Sequence, residues 1–323
     1  MAQLVEHILG KDEVSSSNLD ISSRNALTSV RAFSFFDFQI TNMEKEVIMY
    51  ADLHLHSKFS DGSDTTPALC EKLLSQNITT FALTDHDTVA GLPSLIEAVN
   101  GRARVITGVE FSCKENGRTT HILGFGFEPS APAIIEMLAY GQDLRRQNLE
   151  IRLSHLKNTH HIVFSEEENA FLRAKNSPSR AHLAKLLIQN GYASSYQDCM
   201  EKYLNGCKKD ELRLTAKDAI SAILAADAIP VWAHPLGGEG EPHEFVPETL
   251  EALLSYGVRG MECYYSRYTE KESDFLLDIA KTHGLLVSGG SDYHGANKTV
   301  RLGELSADGI EIPTEKLTLL SCL

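Results

Sequence analysis

The sequence predicts an α/β fold: a largely parallel sheet wrapped by helices and interrupted by a helical insertion. Three observations predict it. Short β-rich runs alternate with helix-spaced runs from Tyr50 to Glu128 and again beyond Lys217. The text between, residues 131–217, is charged and helical in period. Finally, His, Asp or Glu closes every proposed strand, and in such folds reactive groups collect outside the carboxyl ends of strands.

Taken in order, YADLHLH alternates as a strand, TPALCEKLLSQN has helical spacing, and ITTFALTDHD is a β-rich run with a polar end. LPSLIEAVN follows as a helix, ARVITGVEFSC as a strand, and TTHILGFGF as a strand broken by glycine. Next come the helical runs IIEMLAYGQDLRRQNLEIRLSHLKN, SRAHLAKLLIQNG and YQDCMEKYLNG, with hardly any strand signal among them. AKDAISAILAADAIPVWAHP leads from a helix through Ile229 and Pro230 into a short buried strand. GVRGMECYY and HGLLVSGGSDYHG are two more strands, joined by the helix SRYTEKESDFLLDIAKTHG.

The predicted organisation is an N-terminal extension at 1–48, a first α/β part at 49–130, a helical insertion at 131–217, and a second α/β part at 218–323. The extension reads as disordered or artefactual. Its opening resembles the peptide obtained when a transfer-RNA gene is translated in frame, which predicts a start at Met43 or Met49.

Hydrophobic residues at 42% and charged residues at 23% are those of a globular chain. Lys plus Arg number 30 against 44 Asp plus Glu, a net charge of −14, which argues against a broad grip on duplex DNA. A polyanion must therefore meet a local positive charge or bound metal ions. The six cysteines are scattered without CxxC pairs and no apolar run is long enough to span a bilayer. The expectation is a soluble, cytoplasmic protein with no membrane contact and no obligate protein partner.

His54 and His56 are two apart on a predicted strand, so both rings project from one face, a geometry that chelates a metal. Asp61 closes the next loop, and Asp85, His86 and Asp87 end the second strand. Glu110, His121, His234, Asp292 and His294 mark the later strands. Singly, Asp61 or Asp85 reads equally well as a helix cap and His121 as a core histidine. As a set, mixed imidazole and carboxylate donors suit first-row divalent ions, and they suffice for more than one.

The motifs DLHLHS with Asp61 after it, TDHD, GVE, HILGF, AHP and GGSDYH occur in the order of the polymerase and histidinol phosphatase (PHP) family, which the chain resembles over Tyr50–Glu128 and Pro230–Gly303. The insertion with NSPSRAHLAKLLIQNG is similar to the branch acting on nucleotides. Activities of that branch include removal of the 3′-phosphate of 3′,5′-bisphosphonucleotides and trimming of short RNA from its 5′ end.

The resemblance implies a distorted seven-stranded (β/α) barrel holding two to three divalent ions. His54, His56, Glu110 and Asp292 would hold the first. Glu110 would bridge to a second completed by His121 and His234, and Asp61, His86 and His294 would hold the third. Asp61 replaces a histidine frequent in the wider family and hardens that site, which favours Mn²⁺ or Fe²⁺ while leaving Zn²⁺ acceptable. The expected reaction is phosphate-ester hydrolysis by a metal-activated hydroxide, with Glu110, Asp292 and His234 at its centre. Asp85 and Asp87 are expected to orient a histidine ring, with helix capping the other reading for Asp87.

Ser179 and Arg180, opening a predicted helix, resemble residues that hold a second phosphate, which a helix N-terminus and a guanidinium both suit. Arg267 and Lys298 are further substrate-binding candidates. Tyr264, Tyr265 and Tyr268 read either as base-stacking or as buried aromatics, and Arg145, Arg146 and Arg152 as a solvated helix face. Together these predict a phosphoesterase acting on a nucleotide or short single-stranded RNA. One alternative is a small-metabolite phosphatase, with histidinol phosphate as its type of substrate. Another is a non-catalytic metal-stabilised module, whose mark would be missing ligands, and none is missing. Carbon–nitrogen hydrolysis with a metal-bridging modified lysine is disfavoured because no lysine ends a strand.

Overall fold

The computed structural model describes residues 50–237 and 245–323, so the expected extension at 1–48 lies outside the described residues. β1 (Tyr50–Leu55), α1 (Thr66–Ser75), β2 (Ile78–Leu83), α2 (Leu92–Val99), β3 (Arg104–Glu115) and β4 (Arg118–Phe125) come first. The helical stretch follows as α3 (Pro132–His160), α4 (Glu166–Arg173), α5 (Arg180–Gln189) and α6 (Tyr196–Cys199). The chain then runs through β5 (Leu214–Thr215), α7 (Ala216–Ala225), β6 (Ile229–Trp232), α8 (Val246–Tyr256), β7 (Gly260–Tyr265), α9 (Glu270–His283) and β8 (Leu286–Gly290).

Seven strands pair in the order β1-β2-β3-β4-β6-β7-β8, and the two-residue β5 pairs with β3 off this path. The ring nearly closes where β1 meets the chain leaving β8. Asp292 N donates to His54 O at 2.8 Å and His56 N to Tyr293 O at 2.9 Å. Only glycine at position 290 permits this approach, since a Cβ there would sit 2.3 Å from that of His54.

The sheet is less uniformly parallel than the alternation predicts, because β4 runs antiparallel to both β3 and β6. No crossover helix separates β3 from β4. Asn116 and Gly117, both at positive φ, turn the chain within two residues, and so short a link joins only antiparallel strands.

Side chains of alternate residues enter two apolar layers. Phe81 and Ile122 pack with Leu69, Leu95, Ile220 and Leu276 of the surrounding helices. Their neighbours Ala82 and Leu123 pack on the opposite face with Leu53, Phe125 and Val231, which Leu305, Leu317 and Leu319 cover. Leu149, Leu156, Leu183, Leu187 and Leu204 form a separate cluster within the helical stretch. Among the described residues no helix is long and apolar enough to cross a membrane.

Candidate metal centre

The period-two spacing on β1 sends Asp52, His54 and His56 to one side, and all three are fully buried. Glu110, from β3, stands at the middle of the group. Its Oε2 lies 3.2 Å from His54 Nε2, 3.2 Å from His56 Nε2 and 3.1 Å from His86 Nδ1. Its Oε1 lies 2.7 Å from His121 Nδ1 and 3.1 Å from His234 Nε2. Asp292 Oδ1 is 3.2 Å from His56 Nε2, and Asp61 faces His294 Nε2 at 3.2 Å and His86 Nε2 at 3.8 Å. The nine residues singled out in the sequence therefore meet in one place. His234 and Asp292 hold left-handed backbone, at φ 28° and 55°, which is costly for residues other than glycine and common where function fixes the chain.

The donor set fits divalent cations. His54 Nε2, His56 Nε2 and Glu110 Oε2 are buried without a hydrogen-bond partner although they face one another at 3.2 Å. Atoms sharing one ion at about 2.1 Å lie about 3.0–3.4 Å apart, so the spacing is that of common ligands. Three groupings have this compactness: His56, Asp61, His86 and His294; His54, His56 and Glu110; and His86, Glu110 and His121. His86 thus stands between Glu110 and Asp61 rather than with the latter alone.

Charge follows the same pattern. Burial works to raise the Glu110 carboxyl, but the rings of His86, His121 and His54 outweigh it and hold it well below the usual range. Asp61 and Asp292 are likewise held ionised against their burial, the first by His294 and His86, the second by Lys298 and His294. Burial draws His86, His121 and His294 down, toward the neutral form that ligates. His54 and His56 go up, despite burial, because of the carboxylates around them, His56 to about 9. An arriving cation would displace those protons.

Several supporting residues escaped sequence reasoning. Glu262 on β7 accepts from His54 Nδ1 at 2.9 Å and from His234 N at 2.8 Å. Asp52 accepts from Ser291 N at 2.9 Å and Ser291 Oγ at 2.6 Å, beside the expected ligand Asp292. A carboxylate within an apolar run, as in GMECYY or YADLHL, was the available signal, because a buried charge demands a partner.

Other expectations change. Among the described residues Asp85 has no hydrogen bond to an imidazole. It accepts from Ser57 N, Ser57 Oγ and Ser60 Oγ at 2.6–2.7 Å, and only Ser60 Oγ approaches a ring, His56 Nδ1, at 3.4 Å. Asp87 accepts from Ser112 N and from Arg145 Nε. The α3 arginines are not one solvated face: Arg146 is 55% exposed, but Arg145 and Arg152 are 12% and 6% exposed and ion-paired. Tyr264, Tyr265 and Tyr268 are buried, which removes them as base-stacking platforms. Tyr265 instead donates to Asp292 Oδ2 at 2.7 Å.

Ser179 Oγ lies 2.9 Å from His182 Nδ1 at the start of α5. Arg180 is bound to Glu211 through Nε at 3.0 Å and Nη2 at 2.5 Å. Lys298 donates to Asp292 Oδ2 at 2.6 Å, and Arg267 is exposed beside Tyr265.

The PHP domain model matches residues 52–219, more than half of the chain and six of the nine donors. A phosphoribosyl 1,2-cyclic phosphate 1,2-diphosphodiesterase of Eggerthella lenta is 30% identical over 82% of this chain and 100% of its own length. A 5′-3′ exoribonuclease of Haemophilus influenzae is 30% identical over 78% of this chain and 93% of its own. A Bifidobacterium adolescentis crystal structure, assigned as a metal-dependent phosphoesterase, superposes with a TM-score of 0.70 at 26% identity, covering 80% of this chain and 93% of that one. With the barrel, the donor cluster and these matches in agreement, the chain belongs to the PHP domain family.

Proposed function

We propose that this chain hydrolyses a phosphate ester on a ribose unit that bears a further phosphate, as in a 3′,5′-bisphosphonucleotide or the 5′ end of short RNA. It is a hydrolase of phosphoester bonds, as its relatives are. The observation that carries the reading is Glu110 set between five imidazoles with Asp61 and Asp292 flanking them, a donor set with room for two to three ions. The hard Asp61 site favours Mn²⁺ or Fe²⁺ over Zn²⁺. Both named relatives act, by their names, on phosphodiester bonds of ribose compounds.

When bound, the ions supply the positive charge that lowers the pKa of water and offsets charge developing on phosphoryl oxygens. The protein's own groups set the geometry. A carboxylate can only accept, so Glu262 fixes the His54 tautomer with Nδ1 protonated and Nε2 turned to the centre. Tyr265 and Lys298 take up Asp292 Oδ2, which leaves Oδ1 toward His56. The candidates for holding the second phosphate are Ser179 and Arg180 in the helical insertion and Arg267 and Lys298 outside it.

The test is metal analysis of protein purified without chelator, then turnover of adenosine 3′,5′-bisphosphate, a short 5′-phosphorylated RNA and histidinol phosphate with Mn²⁺ added. One of the first two is expected to exceed histidinol phosphate by at least about ten-fold in kcat/KM. Preference for histidinol phosphate, or no turnover by the loaded protein, would reject the reading.

A further inference from the structure

Asp61 and His294 face each other at 3.2 Å and, with His56 and His86, form one of the compact donor groups. Glu110, His54 and His121 stand on β3, β1 and β4, but neither Asp61 nor His294 sits on a strand. Asp61 follows the end of β1 at Leu55, and His294 follows the end of β8 at Gly290. The parallel pairing of these two segments runs out at Tyr293, which bridges Leu55 and whose carbonyl accepts from His56 N at 2.9 Å. Strand pairing therefore places the donors around Glu110 but not the Asp61–His294 pair.

A set of loop contacts places that pair instead. Asn297 Nδ2 donates to Asp61 O at 2.8 Å. Ser63 N donates to His294 O at 3.0 Å, and Ser63 Oγ accepts from Ala296 N at 2.7 Å. Gly295, at φ 66°, makes room for this, since a Cβ there would collide with the Ser63 hydroxyl. Tyr293, a buried ring at 9% exposure, donates through its hydroxyl to Asp64 Oδ2 at 2.8 Å. Lys72 Nζ, from α1, donates to the same carboxylate at 2.7 Å and to the phenol oxygen at 3.0 Å. Residues 61–64 are thereby tied to residues 293–297.

We propose that Asn297 and Tyr293 are positioning residues that hold Asp61 opposite His294, so that one ion is gripped by a latch between two loops and exchanges separately from the ions at Glu110. The inference rests on the phosphoesterase reading above and adds that its ions are not equivalent. Contacts borne by loops open at lower free energy than those of core strands, so the latched ion is the first to leave. Loss of a latch bond loosens Asp61 against His294, while the donors carried by strands keep their places.

The experiment titrates chelator-treated full-length protein with Mn²⁺ and follows free Mn²⁺ by electron paramagnetic resonance. The unaltered protein, which needs no variant to fold, is expected to show two classes of site, with one ion held more weakly than the rest. Tyr293→Phe removes only a hydroxyl and Asn297→Ala trims an exposed side chain, so both are expected to keep the circular dichroism of the folded chain. Each is expected to raise the dissociation constant of the weaker ion about 10- to 100-fold, the effect of losing a residue that orients a metal ligand, and to leave the tighter class unmoved. Asn297→Gln, which keeps an amide donor, is expected to recover part of the loss. Equal weakening of every ion, no change in either variant, or a single class in the unaltered protein would overturn the latch and leave the phosphoesterase standing. Absence of both Mn²⁺ binding and turnover in the unaltered protein would remove both.

Discussion

Asp52 and Ser291 are bound twice over, the carboxylate accepting from the serine amide at 2.9 Å and from its hydroxyl at 2.6 Å. Gly303 N adds a third donor to Asp52 at 2.8 Å. Asp52 faces none of the imidazoles that surround Glu110, yet it clamps the residue next to Asp292, whose backbone is held at φ 55°. Asp52→Ala is expected to weaken Mn²⁺ binding about 10- to 100-fold, as loss of a residue that orients a metal ligand does. Activity measured against Mn²⁺ concentration would show the midpoint moving up, with rate recovered at saturation. An unmoved midpoint would mean that the clamp is irrelevant to the metal.

Glu110→Gln tests the middle of the cluster. Glutamine keeps the size of the side chain and removes the charge that five imidazoles share. Turnover is expected to fall by more than about 100-fold, beyond the usual effect of outer residues. Circular dichroism should stay that of the folded chain. Full activity in a variant that still binds Mn²⁺ would refute a bridging role for Glu110.

Much of this site is legible in the sequence because it is local in period. His54 and His56 share a face by strand alternation, and Asp292 and His294 end an apolar run with no local reason to do so. What stayed hidden depends on distant partners. Glu211 sits in the charged run KKDELR, where nothing marks it as the meeting point of three arginines. The burial of Arg145, Asn148 and Arg152 had a readable signal, since spacings of three and four put them on one helix face, but a polar stripe is more often solvated. The antiparallel β4 departs from the largely parallel sheet that the alternation of runs predicts, because only two residues separate β3 from β4.

Metal removal should be visible in stability as well as in activity. Without a cation, ionised Glu110 and Asp292 are buried and Asp61 partly buried among imidazoles, and His54 Nε2, His56 Nε2 and Glu110 Oε2 have no hydrogen-bond partner. A ligand at 100 times its dissociation constant stabilises the folded state by about 2.7 kcal/mol. For a folded unit of this size that corresponds to a rise of about 5 °C or more in Tm. Thermal unfolding of chelator-treated protein, before and after addition of Mn²⁺, measures it. A Tm indifferent to Mn²⁺, Fe²⁺ and Zn²⁺ alike would contradict the metal centre.

Glu211 makes the charge network depend on pH with a definite sign. Burial works to raise its carboxyl, but the hydrogen bonds and charges of Arg152 and Arg180 outweigh burial and bring it down to about 2. A carboxyl lowered on folding contributes stability that is fully present above its unfolded pKa, about 4.3, and is lost as pH falls toward the folded value. At pH 7 Glu211→Gln leaves Arg152 and Arg180 buried without their counter-charge, and the expected cost is about 3–5 kcal/mol. At pH 3 the protonating wild-type carboxyl has given up part of that advantage, so the gap between the two proteins narrows. Urea midpoints of both at the two pH values provide the comparison. A gap that is constant or widens toward acid would show that Glu211 does not hold these arginines as an ionised group.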